Sequence, residues 1–419
     1  MTTQQTTALL AGLAAMVILA RVLGALARRL GQPAVIGEVL AGIALGPTLC
    51  HGAVCDALLP DTTRPLLSAL ATVGISVFMF IVGLEWDAVL IKGSGAIAPA
   101  VSLSSVLLPF ALGTALGFYL IEDHGTDDKR AFVLFIGIAM SVTAFPVLAR
   151  ILTDRGMAHT SLGVVALACA AIDDVLAWSL LAAVVAISGS AGTEQWRILL
   201  AVPYLLCMLF VLRPALRRAA ERRTLLQFTP TVLACVLAGL LLSGAVTEWL
   251  GLHYIFGAFL FGVVLPRAGT EQLRHDVHDR LSQMNNTLLL PVFFLAAGQQ
   301  VDLSALGANA LMDLGLILVI AVGGKFIGAF TAARLSRMPI RQSAALATLM
   351  NTRGLTELIV LNVGLQLGFL HQELYSLMVV MAVVTTAMAG PLLTWLLRDP
   401  TNDDIARTEK RRGFRTTTT

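Results

Sequence analysis

The chain has 419 residues, 57% of them hydrophobic and only 13% charged, with a mean hydropathy of +0.82. A soluble globular domain carries about 25% charged residues, so this composition excludes a water-soluble fold and predicts lipid around most of the chain. The formal net charge of +3 excludes little; the charges matter by position, because nearly all of them cluster between apolar runs.

A helix needs about 20 mostly apolar residues to cross the hydrocarbon core, and unpaired backbone groups are not tolerated in lipid, so such runs read as helices. The sequence predicts an all-α polytopic protein with thirteen of them, over 8–27, 33–49, 65–86, 96–121, 131–151, 161–188, 197–213, 227–248, 252–268, 286–300, 311–333, 342–365 and 373–397. The first has no basic region before it and carries Arg28 and Arg29 after it, the pattern of a helix that stays in place rather than a cleaved leader. Cys50 and Cys55 share the loop after the second run and are positioned to pair if that loop is extracytoplasmic; the five cysteines show no metal-ligand spacing. Glu38 follows a glycine in the second run, and Glu85 and Asp87 are expected at the inner end of the third.

The fifth run holds Ser141-Val-Thr143-Ala-Phe-Pro146, with a proline in mid-span that removes a backbone hydrogen bond. Asp173 and Asp174 lie near the middle of the sixth, and Lys325 near the middle of the eleventh. The twelfth contains Asn351-Thr-Arg353-Gly and, four residues after the arginine, Glu357. The tail 398–419 is short, polar and basic, with no glycine-rich nucleotide-binding pattern; a disordered end is expected there, without a regulatory domain.

Lysine and arginine set orientation. With the N-terminus outside, 22 of the 29 fall on the inner side and 4 on the outer, the rest lying inside spans. N-out and C-in is therefore expected. Two stretches also recur. Gly37 to Leu45 matches Gly257 to Leu265 at four of nine positions, and Val77-Phe78, Gly83 and Asp87 match Val292-Phe293, Gly298 and Asp302. Helices 1–6 and 8–13 then form inverted repeats, an arrangement that places a transporter's binding site near the midplane where the repeats meet.

Ionisable side chains at the bilayer centre cost about 2.5–3.5 kcal/mol each on insertion scales, so those at mid-span need a reason. For Arg353 and Glu357, four apart on one helical face, mutual pairing is as good a reason as function. Two adjacent carboxylates repel, which is a poor way to hold a bundle together. Neighbours on a helix point about 100° apart, so Asp173 and Asp174 cannot share a proton. One can face an ion cavity while the other turns to a partner, and Lys325 is the only mid-membrane lysine. Burial and a neighbouring ammonium act oppositely on a carboxylate's protonation; in balance, they let one carboxylate hold a cation or a proton but not both. The interruptions at Pro146 and Asn351–Gly354 expose carbonyls and half-helix ends at the same depth. No His/Cys cluster suggests a resident metal, and nothing predicts a cofactor or nucleic acid.

Together Gly31-Gln-Pro-Ala-Val-Ile-Gly-Glu-Val-Leu-Ala-Gly-Ile-Ala-Leu-Gly-Pro47, Gly83-Leu-Glu-Trp-Asp87, Ser141-Val-Thr-Ala-Phe-Pro-Val-Leu-Ala-Arg150, the aspartate pair and Asn351-Thr-Arg-Gly-Leu-Thr-Glu-Leu358 resemble the monovalent cation:proton antiporter superfamily. The branch is that of bacterial sodium/proton and potassium/proton antiporters and plant endomembrane cation/proton exchangers, and the likeness covers about residues 8–397. It implies a membrane antiporter domain over 1–397, with helices 3–6 and 10–13 around the ion site and the rest as dimerisation scaffold, followed by the tail 398–419. It also implies elevator-like motion between the two parts, two helices unwound where they cross, a homodimer, and residence in a bacterial inner membrane. The family's ion-binding carboxylate falls on Asp174, with Thr143 at the broken helix. The preceding position falls on Asp173, which in two-carboxylate members pairs with a lysine matching Lys325. Plant relatives have asparagine at the first position. Asp173 thus implies electrogenic exchange, two protons per Na⁺ or K⁺.

Two other classes compete. A cation-coupled symporter of a small organic solute uses a related inverted-repeat fold, but the narrow polar inventory favours bare ions. An intramembrane aspartyl protease also buries two aspartates; it needs them on different helices, which adjacency forbids.

Overall fold

The computed structural model describes residues 3–47, 60, 63–85, 97–126, 128–157, 160–187, 197, 200–221, 229–266, 270–304 and 307–397. All regular structure among the described residues is helical. In chain order the helices are α1 (Thr3–Arg29), α2 (Ala34–Leu45), α3 (Arg64–Glu85), α4 (Ile97–His124), α5 (Lys129–Ser141), α6 (Phe145–Asp154), α7 (Ser161–Ile187), α8 (Ala201–Cys207), α9 (Arg213–Glu221), α10 (Pro230–Trp249), α11 (Tyr254–Val264), α12 (Glu271–Met284), α13 (Leu290–Gln299), α14 (Ala308–Leu335), α15 (Ile340–Met350), α16 (Leu355–Gln366) and α17 (Gln372–Leu396). Single π-helical stretches, Met208–Leu212 and Asn285–Leu289, join α8 to α9 and α12 to α13. Cys50, Cys55, Trp86, Asp87 and the tail 398–419 lie outside the described residues.

Seven helices, α1, α3, α4, α7, α10, α14 and α17, have the length and hydropathy to cross a bilayer unaided. The remaining expected runs fall on shorter or interrupted helices. The run 33–49 is helical only to Leu45, because Gly46 turns extended ahead of Pro47, and the residue before a proline is driven out of the α region. The fifth and twelfth runs are each split, into α5 and α6 and into α15 and α16. Pro146 does not kink a continuous helix: it sits in the first turn of α6, where its missing N–H has no partner to lose. α12 was not among the expected elements. It is polar, yet Leu273, Val277 and Leu281 recur every fourth residue and are its buried face, an amphipathic signal too short on apolar residues to register as a span.

Glycines set how closely the helices pack, and the internal repeat shows in three dimensions through them. Gly37 of α2 lies against the Leu23 carbonyl of α1, and its counterpart Gly257 of α11 against the Ser243 carbonyl of α10. Gly42 of α2 meets Gly298 of α13, and Gly262 of α11 meets Gly83 of α3. Since Gly42 aligns with Gly262 and Gly83 with Gly298, each contact is the repeat image of the other. A Cβ at any of these six positions would overlap the neighbour's backbone. One group of helices therefore comprises α1–α3, α10, α11 and α13. In the other, α4–α7 and α14–α17 pack on one another.

Candidate ion-binding site

The site forms where the two broken helices cross inside the second group. Each break frees backbone groups, and each supplies partners for the other. The Ala144 N–H donates to the Thr352 carbonyl at 3.0 Å, and the Thr143 hydroxyl lies 3.1 Å from the Met350 carbonyl. Arg353, fully buried, aims its guanidinium at the last turn of α5 and donates to the Ala139 and Met140 carbonyls, both at 2.6 Å. A cation there satisfies carbonyls that a helix C-terminus leaves open and meets the negative end of its dipole. Gly354 has φ +155°, a region closed to residues with a Cβ, and a Cβ would stand 2.7 Å from Val147 Cγ2. The glycine lets the chain re-enter α16 against α6.

Arg353 and Glu357 form an ion pair at 3.0 Å with both side chains fully buried. The expected helical spacing between them is not what brings them together, because Arg353 lies in the unwound segment rather than in a helix. Glu357 Oε1 and Asn351 Oδ1 are buried without a hydrogen-bond partner among the described residues.

α7 brings Asp173 and Asp174 to the crossing and turns them apart. Asp173 is saturated. The Thr143 hydroxyl donates to its Oδ2 at 2.7 Å, Ser105 Oγ lies at 3.1 Å, Ser102 Oγ donates to Oδ1, and Lys325 Nζ of α14 lies 3.3 Å from Oδ2. Lys325 also donates to the Thr143 hydroxyl, so one threonine links lysine, aspartate and the opposing break. Asp173 and Lys325 are both fully buried. The hydroxyls of Ser102 and Ser105, one turn apart on α4, were not anticipated; two serines at helical spacing in an apolar run are the only trace they leave in the sequence.

Asp174 is different. It is 3% exposed, and neither carboxylate oxygen has a hydrogen-bond partner among the described residues. The backbone N–H of Phe145, at the head of α6, is directed to it outside strict hydrogen-bond geometry, and the positive end of that half-helix favours negative charge. A buried carboxylate normally has its lone pairs filled. Of the predicted residues, Asp173, Thr143 and Lys325 are thus joined in one network, Asp174 stands beside it, and Arg353 and Glu357 form a second pair that borders Lys325 electrostatically.

The description of a sodium/hydrogen exchanger transmembrane domain matches residues 15–399. The chain belongs to the sodium/hydrogen exchanger family. The antiporter is 37% identical over 411 residues to the Na(+)/H(+) antiporter NhaS4 of Synechocystis sp., covering 94% of this chain and 98% of that one. It is 36% identical to cation/H(+) antiporter 20 of Arabidopsis thaliana and 32% identical to K(+)/H(+) antiporter 1 of Saccharomyces cerevisiae; in each case about 90% of this chain is covered, but it spans only about half the length of these two relatives. Its fold is similar to that of the sodium proton antiporter MjNhaP1 of Methanocaldococcus jannaschii, with a TM-score of 0.68 at 15% identity over 94% of this chain and 100% of that one. The expected class, antiport of a monovalent cation against protons within the cation:proton antiporter superfamily, stands.

Proposed function

We propose that the chain exchanges Na⁺ or K⁺ for protons at Asp174, electrogenically and with two protons per cation, in a bacterial inner membrane with its N-terminus outside and its C-terminus in the cytoplasm. The observation that carries this reading is the contrast between the two carboxylates: Asp173 is held by three hydroxyls and Lys325, while Asp174 has both oxygens open. An open buried carboxylate next to a half-helix N-terminus accepts either a dehydrated monovalent cation or a proton, and the two compete for the same lone pairs. Na⁺ and K⁺ both suit carboxylate, hydroxyl and carbonyl oxygens. Relatives named for Na⁺ and for K⁺ support both.

The second proton belongs to the Asp173–Lys325 pair. Moving a cation one way and two protons the other carries net charge, which makes exchange respond to voltage. We assign α4–α7 and α14–α17 to the moving core and the glycine-packed group to a dimerisation scaffold. This keeps the expected division except that α3 and α13 join the scaffold, since their closest approaches are to α11 and α2. Access alternates by an elevator-like shift of core against scaffold in a homodimer.

Proteoliposomes with an internal pH dye, titrated with Na⁺, K⁺ and Li⁺, test the reading. Asp174→Ala is expected to abolish cation-dependent proton movement, and full retention would remove Asp174 as the site. An imposed potential is expected to drive exchange; indifference to voltage would leave an electroneutral exchanger.

A further inference from the structure

Two cavities open at opposite ends of the same helices, and they are electrostatically unequal. One, of about 330 Å³, lies at the start of α2 and the end of α3, and is lined by Glu38, Glu85, Arg150 and His278 among others. The second, of about 510 Å³, lies at the end of α2 and the start of α3, and is lined by Arg64 and the amides Gln299, Gln300, Asn362, Gln366 and Gln372. No carboxylate is among its described lining residues.

The internal repeat makes this difference specific. The match of Gly37 with Gly257 pairs Glu38 with Ala258, and the match of Gly83 with Gly298 pairs Glu85 with Gln300. Both counterparts are neutral; Gln300 lines the second cavity, where its partner Glu85 lines the first, and Ala258 lies outside that lining. Glu38 is half-buried on α2, and its Oε1 would lie 3.5 Å from a Cβ at Gly24, so α1 backs it and its carboxylate is held at the wall rather than free in bulk water. The lining of the cavity includes Val147 of α6, whose side chain abuts Gly354 at the crossing. The Glu38 cavity therefore reaches the broken helix α6, with the Val147 side chain between it and Gly354.

We infer that Glu38 is a transit carboxylate for the transported cation, on the face that the proposed orientation makes cytoplasmic, and that it gives the antiporter unequal half-saturation on its two sides. The inference rests on the exchange reading at Asp174. A carboxylate on the wall of a low-dielectric cleft attracts a monovalent cation more strongly than the same group does in bulk water. Arg150 lines the same cavity and acts electrostatically on Glu38, so cation and guanidinium compete for one negative charge. The alternative, a purely structural Glu38–Arg150 pair, makes a different prediction: loss of either partner would then act in the same direction.

The test is proton movement in oriented proteoliposomes, with Na⁺ or K⁺ varied on one face at a time. For Glu38→Gln, the cytoplasmic KM for the cation is expected to rise about tenfold, the size of a one-charge effect in a partly screened cleft, while the external KM stays within twofold. Glu38→Asp is expected to recover most of the loss, and Arg150→Gln to lower the cytoplasmic KM. An unchanged cytoplasmic KM in Glu38→Gln, equal changes on both faces, or a rise in Arg150→Gln would each overturn the inference. The external KM of the same vesicles reports that the variants are folded. Asp174→Ala, dead from both faces, separates the two claims: if it is dead and Glu38→Gln behaves as wild type, only the transit role falls.

Discussion

Lys325 and Asp173 occupy the middle of two different helices, and neither charge is tolerable there alone. Their pairing at 3.3 Å, backed by three hydroxyls, compensates the loss of water. Removing one partner of a buried pair typically costs about 3–5 kcal/mol, whereas removing both is often close to neutral. Lys325→Ala is therefore expected to destabilise the protein by about 3–5 kcal/mol, and Asp173→Asn combined with Lys325→Ala by much less than the sum of the single changes. Thermal unfolding in detergent reads this coupling; additive losses would mean that the pair does not act as a unit. Asp173, Asp174 and Lys325 were all legible as charges that do not belong in lipid. That Asp173 is the paired one was reached partly through resemblance, and the geometry shows it directly. Ser102 and Ser105 were not legible, because a serine in an apolar helix can satisfy itself on its own backbone and nothing local says that it faces a carboxylate from a distant helix.

Among the elements, the broken helices differ in how openly the sequence announces them. Proline marks the first, but its place in the opening turn of α6 shows that the break precedes it, at Val142–Ala144. The second has no proline and depends on Gly354. Gly354→Ala is expected to cost about 1–3 kcal/mol in backbone strain, beyond the overlap with Val147, and to lower transport with stability; wild-type melting and exchange in this variant would show that the backbone there is free to relax. α12 carries a pH-dependent contact outside the spans. His278 Nε2 lies 2.7 Å from Glu85 Oε1 at the end of α3, and that hydrogen bond, with Asp279 adding to it, raises the imidazole's pKa from 6.5 to about 8 against the opposing effect of burial. A raised folded-state value means that the charged tie is fully present below about 6.5 and is lost as pH rises through about 8. Amide exchange of 271–284, corrected for its intrinsic pH dependence, is therefore expected to quicken between pH 7 and 9 in the wild type and to lose this step in His278→Gln. The same step in both proteins would assign it to another group.

At the scale of the molecule, the two helix groups meet a simple constraint: helices cross closely only where a side chain is missing. Gly42→Leu is expected to push α2 off α13 and prevent assembly, seen as loss of a monodisperse peak in size-exclusion chromatography; a folded, active variant would show that this contact is not needed. The sequence by itself determined the class of molecule, the apolar runs, the repeat and the charges to be explained, because hydropathy, charge placement and glycine spacing are local properties that lipid selects directly. Only the tertiary structure decided which carboxylate is saturated and which is open, that Arg353 caps α5 from across the crossing, and that Glu38 and Glu85 share a cavity whose counterpart has no carboxylate among its described lining residues. Each of these depends on groups from 30 to 214 residues apart in the chain being brought together, and no local pattern encodes which pair will meet.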